Sequence, residues 1–370
     1  MKVIYFLGSL NRTAPNTVIL NIILNNNFDN IKIISLNKSK NDNYKSYLEE
    51  KGIEYYEYSS FKYAFFDILK IKKEIKQIDI IHLNTYHPNV FGFLLRRFGS
   101  NTKMIATCHA VEDQEAVSSN KGLIDKLKSY IRLNIHKYLY KRQDKTVAVS
   151  KEVKKYLKTI DCIKASTIYN GVNYESFPIF KLKDKNRLEL NFCQVGNIIN
   201  RKNQMYSIRM IKFLRDKGKN VKLHIFGDFS IDKDYYTLLQ KYMVNNNLEE
   251  EIIFYGNLQF AQLFKNLQNM DIQLMPSFSE GLPLGLIEAF YFQLPAIVSQ
   301  NGGMKEVVID NLNGLVVDIL LDNDFEKIYQ YVNNKIYISN GIEARKLALK
   351  KFSAKNMASE YMKEYKKLLS

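Results

Sequence analysis

Glu280 and Glu288 are two carboxylates with seven residues between them, set across a glycine turn. Residues 276–290 read Pro-Ser-Phe-Ser-Glu-Gly-Leu-Pro-Leu-Gly-Leu-Ile-Glu-Ala-Phe. An apolar run at 271–275 leads in, and a helical pattern at 283–293 leads out. Pro283 is expected in the first helical turn, where its missing N–H is tolerated. A strand, a glycine and a helix N-terminus together hold anions, because unpaired backbone N–H groups and the positive dipole end face the same point. Glu280 then falls in the loop and Glu288 about five residues into the helix, roughly 7 Å further along its axis. A diphosphate caught there would have one carboxylate on each side. That arrangement suits a nucleotide diphosphate with a sugar at one end and a ribose at the other.

The elements that must carry this site alternate in type. Short β-branched or apolar runs at 3–7, 31–36, 78–83, 103–107 and 146–149 suit buried parallel strands, with helical patterns at 66–78 and 123–141 between them. The second half repeats the style, with strands expected at 190–195, 221–226, 252–255, 272–275, 296–298 and 314–317. Helices are expected at 203–217, 234–246, 259–269 and 284–293. The alternation predicts an α/β chain of two doubly wound parallel-sheet domains, joined near 172–185. In such sheets ligands bind beyond the carboxyl ends of the strands, and glycines follow several of these strands.

The chain has 370 residues, 54 Lys and Arg against 38 Asp and Glu, and a net charge of +16. Residues 1–180 hold 28 basic and 17 acidic residues, or +11; the remaining 26 and 21 leave +5. A basic first half suits an anionic partner, although a lysine-rich coding bias would look the same. No run of about 18 apolar residues is present, so no spanning helix is expected. The first residues read as a strand rather than a signal peptide. Cys108, Cys162 and Cys193 have no metal-ligand or paired spacing, and reduced thiols in a cytoplasmic protein are expected. Between residues 121 and 145, Lys121, Lys126, Lys128, Arg132, Lys137, Lys141, Arg142 and Lys145 interleave with Leu123, Ile124, Leu127, Tyr130, Ile131, Ile135, Tyr138 and Leu139. This segment is either a basic amphipathic face for anionic lipid or a core helix with a solvated lysine side. The Asp232-Lys233-Asp234 triplet is read as a solvated turn, and no metal site is expected. His82, His87, His136 and His224 lack ligand-like spacing and are read as structural.

Several motifs carry a family resemblance. Glu-Gly-Leu-Pro-Leu-Gly-Leu-Ile-Glu resembles the E-x7-E signature of the retaining family 4 glycosyltransferases, which have the two-domain GT-B fold. Residues 195–203 (Val-Gly-Asn-Ile-Ile-Asn-Arg-Lys-Asn) resemble that family's Val-Gly-Arg-x4-Lys-Gly loop, and 169–177 its Asn-Gly-Val-Asp-x3-Phe segment. Val149-Ser150 and residues 301–307 match two further turns, so the likeness spans roughly 145–318. It implies an N-terminal acceptor domain at 1–175, a C-terminal donor domain at 176–350, and a last helix at 351–370 that crosses back to the first domain. The two domains would face a central cleft and close around the donor.

Residue by residue, the resemblance implies that Glu288 accepts from the ribose hydroxyls and Glu280 contacts the transferred sugar. The N–H groups of Gly281, Leu282 and Leu284, around Pro283, would lie near the sugar and phosphates. Lys202 would neutralise the leaving diphosphate, and Gly256, Asn257 and Leu258 would face the base. His109 would sit over the sugar, with Gly8 and Ser9 near the phosphates. Asn197 stands where the family often has arginine, which makes Arg201 the candidate for the missing charge. Asn203 replaces a glycine. The implied activity is metal-independent, retaining transfer of a hexose or N-acetylhexosamine from a UDP-sugar to a glycan, with no cofactor. The acceptor is expected to be lipid-linked, at the inner membrane face, in surface polysaccharide or glycan assembly. The rival readings are a soluble acceptor, as in sucrose- or sugar-phosphate synthases, and a basic nucleic-acid binder, for which no motif is present.

Overall fold

The computed structural model describes residues 1–40, 43–111, 123–181, 188–320 and 324–370, with the backbone only at 123–126. The chain divides into two compact units. One holds residues 1–111, 123–172 and 354–370; the other holds 173–353.

The first unit contains β1 (Lys2–Leu7), β2 (Asn30–Ser35), β3 (Glu54–Glu57), β4 (Ile80–Asn84), β5 (Lys103–Cys108), β6 (Lys145–Ala148) and β7 (Ala165–Thr167). They form one sheet in the order β3-β2-β1-β4-β5-β6-β7, every pair parallel. β1 and β4 are near-continuous buried apolar runs, as expected of strands covered on both faces. The helices are α1 (Ala14–Leu24), α2 (Lys45–Glu50), α3 (Phe61–Phe66), α4 (Ile68–Glu74), α5 (Tyr86–Arg97), α6 (Leu123–Lys141) and α7 (Lys151–Thr159). The single helix expected at 66–78 is instead α3, a break at Asp67, α4 and a 3-10 turn at Ile75–Gln77. Asp67 interrupts it because its backbone leaves the helical region and its carboxylate accepts from Tyr58 Oη at 3.3 Å.

The second unit contains β8 (Leu190–Val195), β9 (Val221–Phe226), β10 (Ile252–Gly256), β11 (Ile272–Met275), β12 (Ala296–Ser299) and β13 (Gly314–Val317). Their order is β10-β9-β8-β11-β12-β13, again all parallel. The helices are α8 (Gln204–Asp216), α9 (Lys233–Asn245), α10 (Phe260–Leu267), α11 (Leu284–Tyr291), α12 (Phe325–Asn333) and α13 (Ile336–Lys351). In each sheet the strand order reverses at one place: β1 beside β4, and β8 beside β11. Reversal points open a crevice at the strand ends.

The last helix, α14 (Ala354–Leu369), belongs to the first unit and packs against α1. Its buried face, Met357, Tyr361 and Tyr365, meets a polar seam in the sheet. Tyr365 Oη lies 2.7 Å from His82 Nδ1 and 3.2 Å from Tyr5 Oη. His82 Nε2 meets Thr107 Oγ1 at 2.8 Å, and that hydroxyl meets Tyr361 Oη at 3.0 Å. Burial drives the His82 pKa down to about 3, so the ring is neutral and one nitrogen accepts while the other donates. These bonds fix which strands the helix sits over. Tyr365→Phe leaves His82 Nδ1 and Tyr5 Oη short of a partner in a buried site. It should destabilise the protein by about 2 kcal/mol, read as a lower midpoint in urea melts, with the Tyr63→Phe control unchanged.

Candidate functional site

The reversal point of the second sheet brings two loops together. The first leaves β8. Gly196 N–H donates to Phe226 O at 2.8 Å and Ile198 N–H to Asp228 O at 2.9 Å, which ties this loop to the one after β9. Gly227 makes the approach feasible: its φ is +155°, and a Cβ there would lie 2.0 Å from Gly196 O. A 3-10 turn at Asn200–Lys202 follows, and Asn203 adopts φ 52°, ψ 48° before α8 begins. This is the left-handed region that a glycine would fill without strain, and asparagine tolerates it better than most side chains. The replacement of glycine by Asn203 therefore preserves the turn. Gln194 Nε2 donates to Lys202 O at 2.8 Å, and Gln194 Oε1 accepts from Ser207 Oγ at 2.7 Å. Gln204 Nε2 donates to Asn197 O at 3.0 Å.

The second loop runs from β11 to α11. Phe278 N–H donates to Arg201 O at 2.9 Å, and Arg201 Nη1 returns a bond to Ser279 O at 2.6 Å. Glu280 is buried where the two loops meet. Its Oε1 accepts from Lys202 Nζ at 2.5 Å and from Arg201 Nη1 at 3.2 Å. Its backbone carbonyl accepts from Gly303 N–H at 3.1 Å. The neighbouring Gly302, at φ +73°, could carry no side chain, since a Cβ would fall 2.0 Å from Glu280 O. Burial raises the Glu280 pKa, but the Lys202 and Arg201 charges outweigh it, and the carboxyl is held below its usual range. Pro283 is the N-cap of α11, with ψ 133°, rather than a residue of its first turn. Its extended backbone lets the chain turn sharply from the loop into the helix.

Glu288 lies on α11, half-buried, in a contrasting environment. Among the described residues no hydrogen bond or ion pair reaches its carboxylate, and burial pushes its pKa up to about 7. Tyr174 lies near enough for the Glu288 charge to add to burial in raising the phenol. Tyr174 in turn stacks on Tyr291 with ring centroids 5.2 Å apart, and Phe177 packs edge-on against the same ring at 5.1 Å. Along the sheet, Gly256 at φ +68° accepts from Gly227 N–H at 2.9 Å. Asn257 is exposed and Leu258 half-buried beside it. Asp232 is the N-cap of α9, accepting from Tyr235 N–H at 3.2 Å. Among the described residues no cluster of His, Cys, Asp or Glu has metal-binding geometry. The three cysteines are buried and in no disulfide among the described residues.

In the first unit, His109 follows β5 and its Nε2 lies 2.6 Å from Asn84 Oδ1. A chain of bonds sets its tautomer. Asn16 Nδ2 donates to the Ser9 and Asn11 carbonyls, both at 2.8 Å, so its Oδ1 is left to accept from Asn84 Nδ2 at 3.2 Å. Asn84 Oδ1 then accepts, and Nε2 of His109 must carry the proton. Burial lowers the His109 pKa to about 4, so the ring is neutral and Nδ1 is its acceptor. Beside it, Thr85 has φ 77°, a strained value for a β-branched residue, at the β1–β4 reversal point. Gly8 faces Thr85 Oγ1, and no contact or torsion there demands a glycine. Sequence patterns gave no signal for Asn16, Asn84 or Thr85, because amides and a threonine in strand-end loops form no motif.

Two family models cover most of the chain: Glycosyltransferase Family 4 at residues 30–176 and Glycosyl transferases group 1 at 175–335. This chain belongs to the family 4 type of glycosyltransferases. Relatives of this family include the Escherichia coli O-antigen biosynthesis glycosyltransferase WclY, 26% identical, with 100% of this chain and 99% of that one aligned. Another is the E. coli UDP-Gal:alpha-D-GlcNAc-diphosphoundecaprenol alpha-1,3-galactosyltransferase, 24% identical over 72% of this chain and 69% of that one. The GT-B structure of Anabaena HepE, solved with UDP and glucose, superposes with a TM-score of 0.82 at 16% identity, covering 99% of both chains. The glycosyltransferase family and the GT-B fold of two parallel-sheet domains are therefore those the motifs implied.

Within this glycosyltransferase the two glutamates have opposite energetic consequences. Removing Glu280 leaves two cations facing each other in a half-buried place. Glu280→Ala should cost about 3 kcal/mol in thermal melts, and added pyrophosphate should restore part of the loss by replacing the missing negative charge. Failure of pyrophosphate to raise the variant's Tm more than the wild type's would contradict this. Glu288 shows the reverse sign. Its folded pKa lies above the unfolded value, so its contribution to stability falls as pH rises from about 4.3 through 7. Glu288→Gln should be more stable than the wild type by about 2 kcal/mol at pH 8 and equal to it near pH 4.5.

Proposed function

We propose that this glycosyltransferase moves a hexose or N-acetylhexosamine from a UDP-sugar to a lipid-linked glycan acceptor, with retention at the anomeric carbon and without a metal. The observation that carries this reading is the convergence of Lys202 and Arg201 on Glu280, at the strand-reversal point of the second unit. In the free protein the carboxylate holds both cations in place. When a donor binds, its diphosphate competes for the same two charges. As the glycosidic bond breaks, negative charge builds on the departing diphosphate, and cations already fixed in position stabilise it without reorganising. Arg201 supplies the charge that Asn197 does not. The N-terminal turn of α11 adds backbone N–H groups and a dipole aimed the same way.

Glu288 accepts hydrogen bonds from the ribose hydroxyls, which gives its half-buried carboxylate the partners it lacks among the described residues. Gly256, Asn257 and Leu258 present backbone to the base. In the first unit His109, neutral with Nδ1 as acceptor, is suited to a hydrogen bond from a sugar hydroxyl, and the Gly8–Ser9 loop to an approach by phosphate. The WclY and galactosyltransferase relatives support surface-glycan assembly and a polyprenyl-diphosphate acceptor. UDP in the HepE structure supports the donor class.

Donor hydrolysis across UDP- and GDP-sugars, with and without EDTA, tests the reading. UDP-sugar turnover unaffected by EDTA is expected, and a strict metal requirement would overturn the metal-free mechanism. Lys202→Ala should lower kcat by about 100-fold, since its charge matters most in the transition state. Donor binding should weaken as pH falls below about 7, where Glu288 takes up a proton and loses acceptor capacity. In Glu288→Gln that pH dependence should vanish.

A further inference from the structure

The helix α6 presents the wrong face to water. Leu127, Ile131, Ile135 and Tyr138 recur at helical spacing and form a stripe, yet Leu127 is 60% exposed, Ile131 50% and Tyr138 44%. The buried side is instead His136, Leu139 and Tyr140. Of the two readings the sequence left open for 121–145, a core helix with a solvated lysine side does not hold for 127–141. Lys121 and the side chains of Leu123, Ile124 and Lys126 lie outside the described residues.

A second apolar patch lies on the same unit. Phe66 is 64% exposed and Leu69 57%, with Tyr63, Phe65 and Phe98 also open to solvent. Helix α5 joins the two patches. Phe98 at its end packs against Phe65 with centroids 6.5 Å apart, and Phe93 packs edge-on against Tyr138 of α6 at 5.9 Å. Both patches are rimmed by cations. Residues 127–142 contain Lys128, Arg132, Lys137, Lys141 and Arg142 and no acid; residues 61–73 contain Lys62, Lys70, Lys72 and Lys73 against Asp67. Several of these cations lie over rings: Lys62 over Phe66 at 5.8 Å, Arg142 over Tyr138 at 4.9 Å. Large apolar patches with a polar rim are uncommon on proteins that meet only water.

We propose that this face of the first unit docks on a lipid bilayer bearing anionic headgroups. Charge decides among the occupants. A second copy would bring two basic rims together, and like charges repel. A nucleic acid would satisfy the cations but leave Leu127, Ile131, Phe66 and Leu69 in water. A bilayer takes irregular apolar side chains into its interface and pairs the surrounding cations with its headgroups, the two signals that stable peripheral binding requires. No helix among the described residues is long and apolar enough to cross a membrane, so the contact is interfacial. The proposal goes beyond the reaction and does not depend on which acceptor is used.

Flotation of the full chain with phosphatidylcholine vesicles, with and without 30% phosphatidylglycerol, tests it. At least ten-fold tighter partitioning onto the anionic vesicles is expected, weakening in 0.5 M salt by screening. Ile131→Asp with Tyr138→Asp should lower partitioning ten-fold or more at an unchanged Tm, and Phe66→Asp with Leu69→Asp should do so independently. Arg132→Gln should cost about five-fold, the loss of one charge near the surface. Equal partitioning onto neutral and anionic vesicles would overturn the proposal. So would wild-type partitioning by both apolar double variants. A dimer by light scattering that either double variant abolishes would assign the face to a second copy instead.

Discussion

The second unit is organised around one buried carboxylate with two cations on it. Glu280 sits where the loop after β8 meets the loop after β11, and Lys202 and Arg201 reach it from consecutive positions. An unpaired carboxylate in that place would be costly to bury, and two unpaired cations would repel. Their joint presence links the loops more tightly than either backbone could alone. The remaining hydrogen bonds serve the same end. Gln194, itself oriented by Ser207, holds the carbonyl of Lys202, Phe278 N–H holds that of Arg201, and Gly303 N–H holds that of Glu280. Each cation is thus fixed from its backbone outward, which is what preorganised stabilisation of a leaving anion requires.

The fold explains why these loops meet. A parallel sheet ends all its strands at one edge, and at the reversal point the flanking connections turn to opposite faces. The space between β8 and β11 is therefore open, and only loop residues fill it. The close approach of the loops after β8, β9 and β10 depends on backbones touching with no Cβ between them, as at Gly227. The first sheet makes an equivalent opening at β1 and β4, where Thr85 is strained and Asn84 orients His109.

Most strands and the loops after β8 and β11 were legible in the sequence. Leu190–Val195, Val221–Phe226, Ile272–Met275 and Gly314–Val317 have the bounds their apolar runs suggested, because strands buried on both faces leave an uninterrupted hydrophobic signal. The edge strands β3 and β7 were missed for the same reason: Glu54–Glu57 alternates tyrosine with glutamate, and Ala165–Thr167 is three residues long. Helix α1 was missed although Thr13 caps it and Pro15 opens it, since its asparagines resemble a loop in composition. Lys202 and Glu280 carried a motif, but their direct ion pair did not follow from it, nor did the bond chain from His109 through Asn84 and Asn16. Contacts between loops distant in sequence have no local period to reveal them.

Two glutamates of one motif end in opposite electrostatic states, and the difference lies entirely in their surroundings. Pairs of carboxyls with pKa values pushed apart are usually read as a general acid and a general base. Here the geometry argues otherwise. Glu280 is locked to two cations and has no proton to give at neutral pH. Glu288 stands on a helix with aromatic neighbours and no partner among the described residues, a condition that costs stability whenever it is ionised. A carboxylate kept in that condition has capacity to accept hydrogen bonds and, among the described residues, nothing to accept them from. Among the described residues the second unit thus holds a satisfied charge where its two loops meet and an unsatisfied one further along α11. Binding a ligand with hydroxyls at the second place relieves a cost already present in the fold, so part of the affinity comes from removing that cost rather than from new contacts alone.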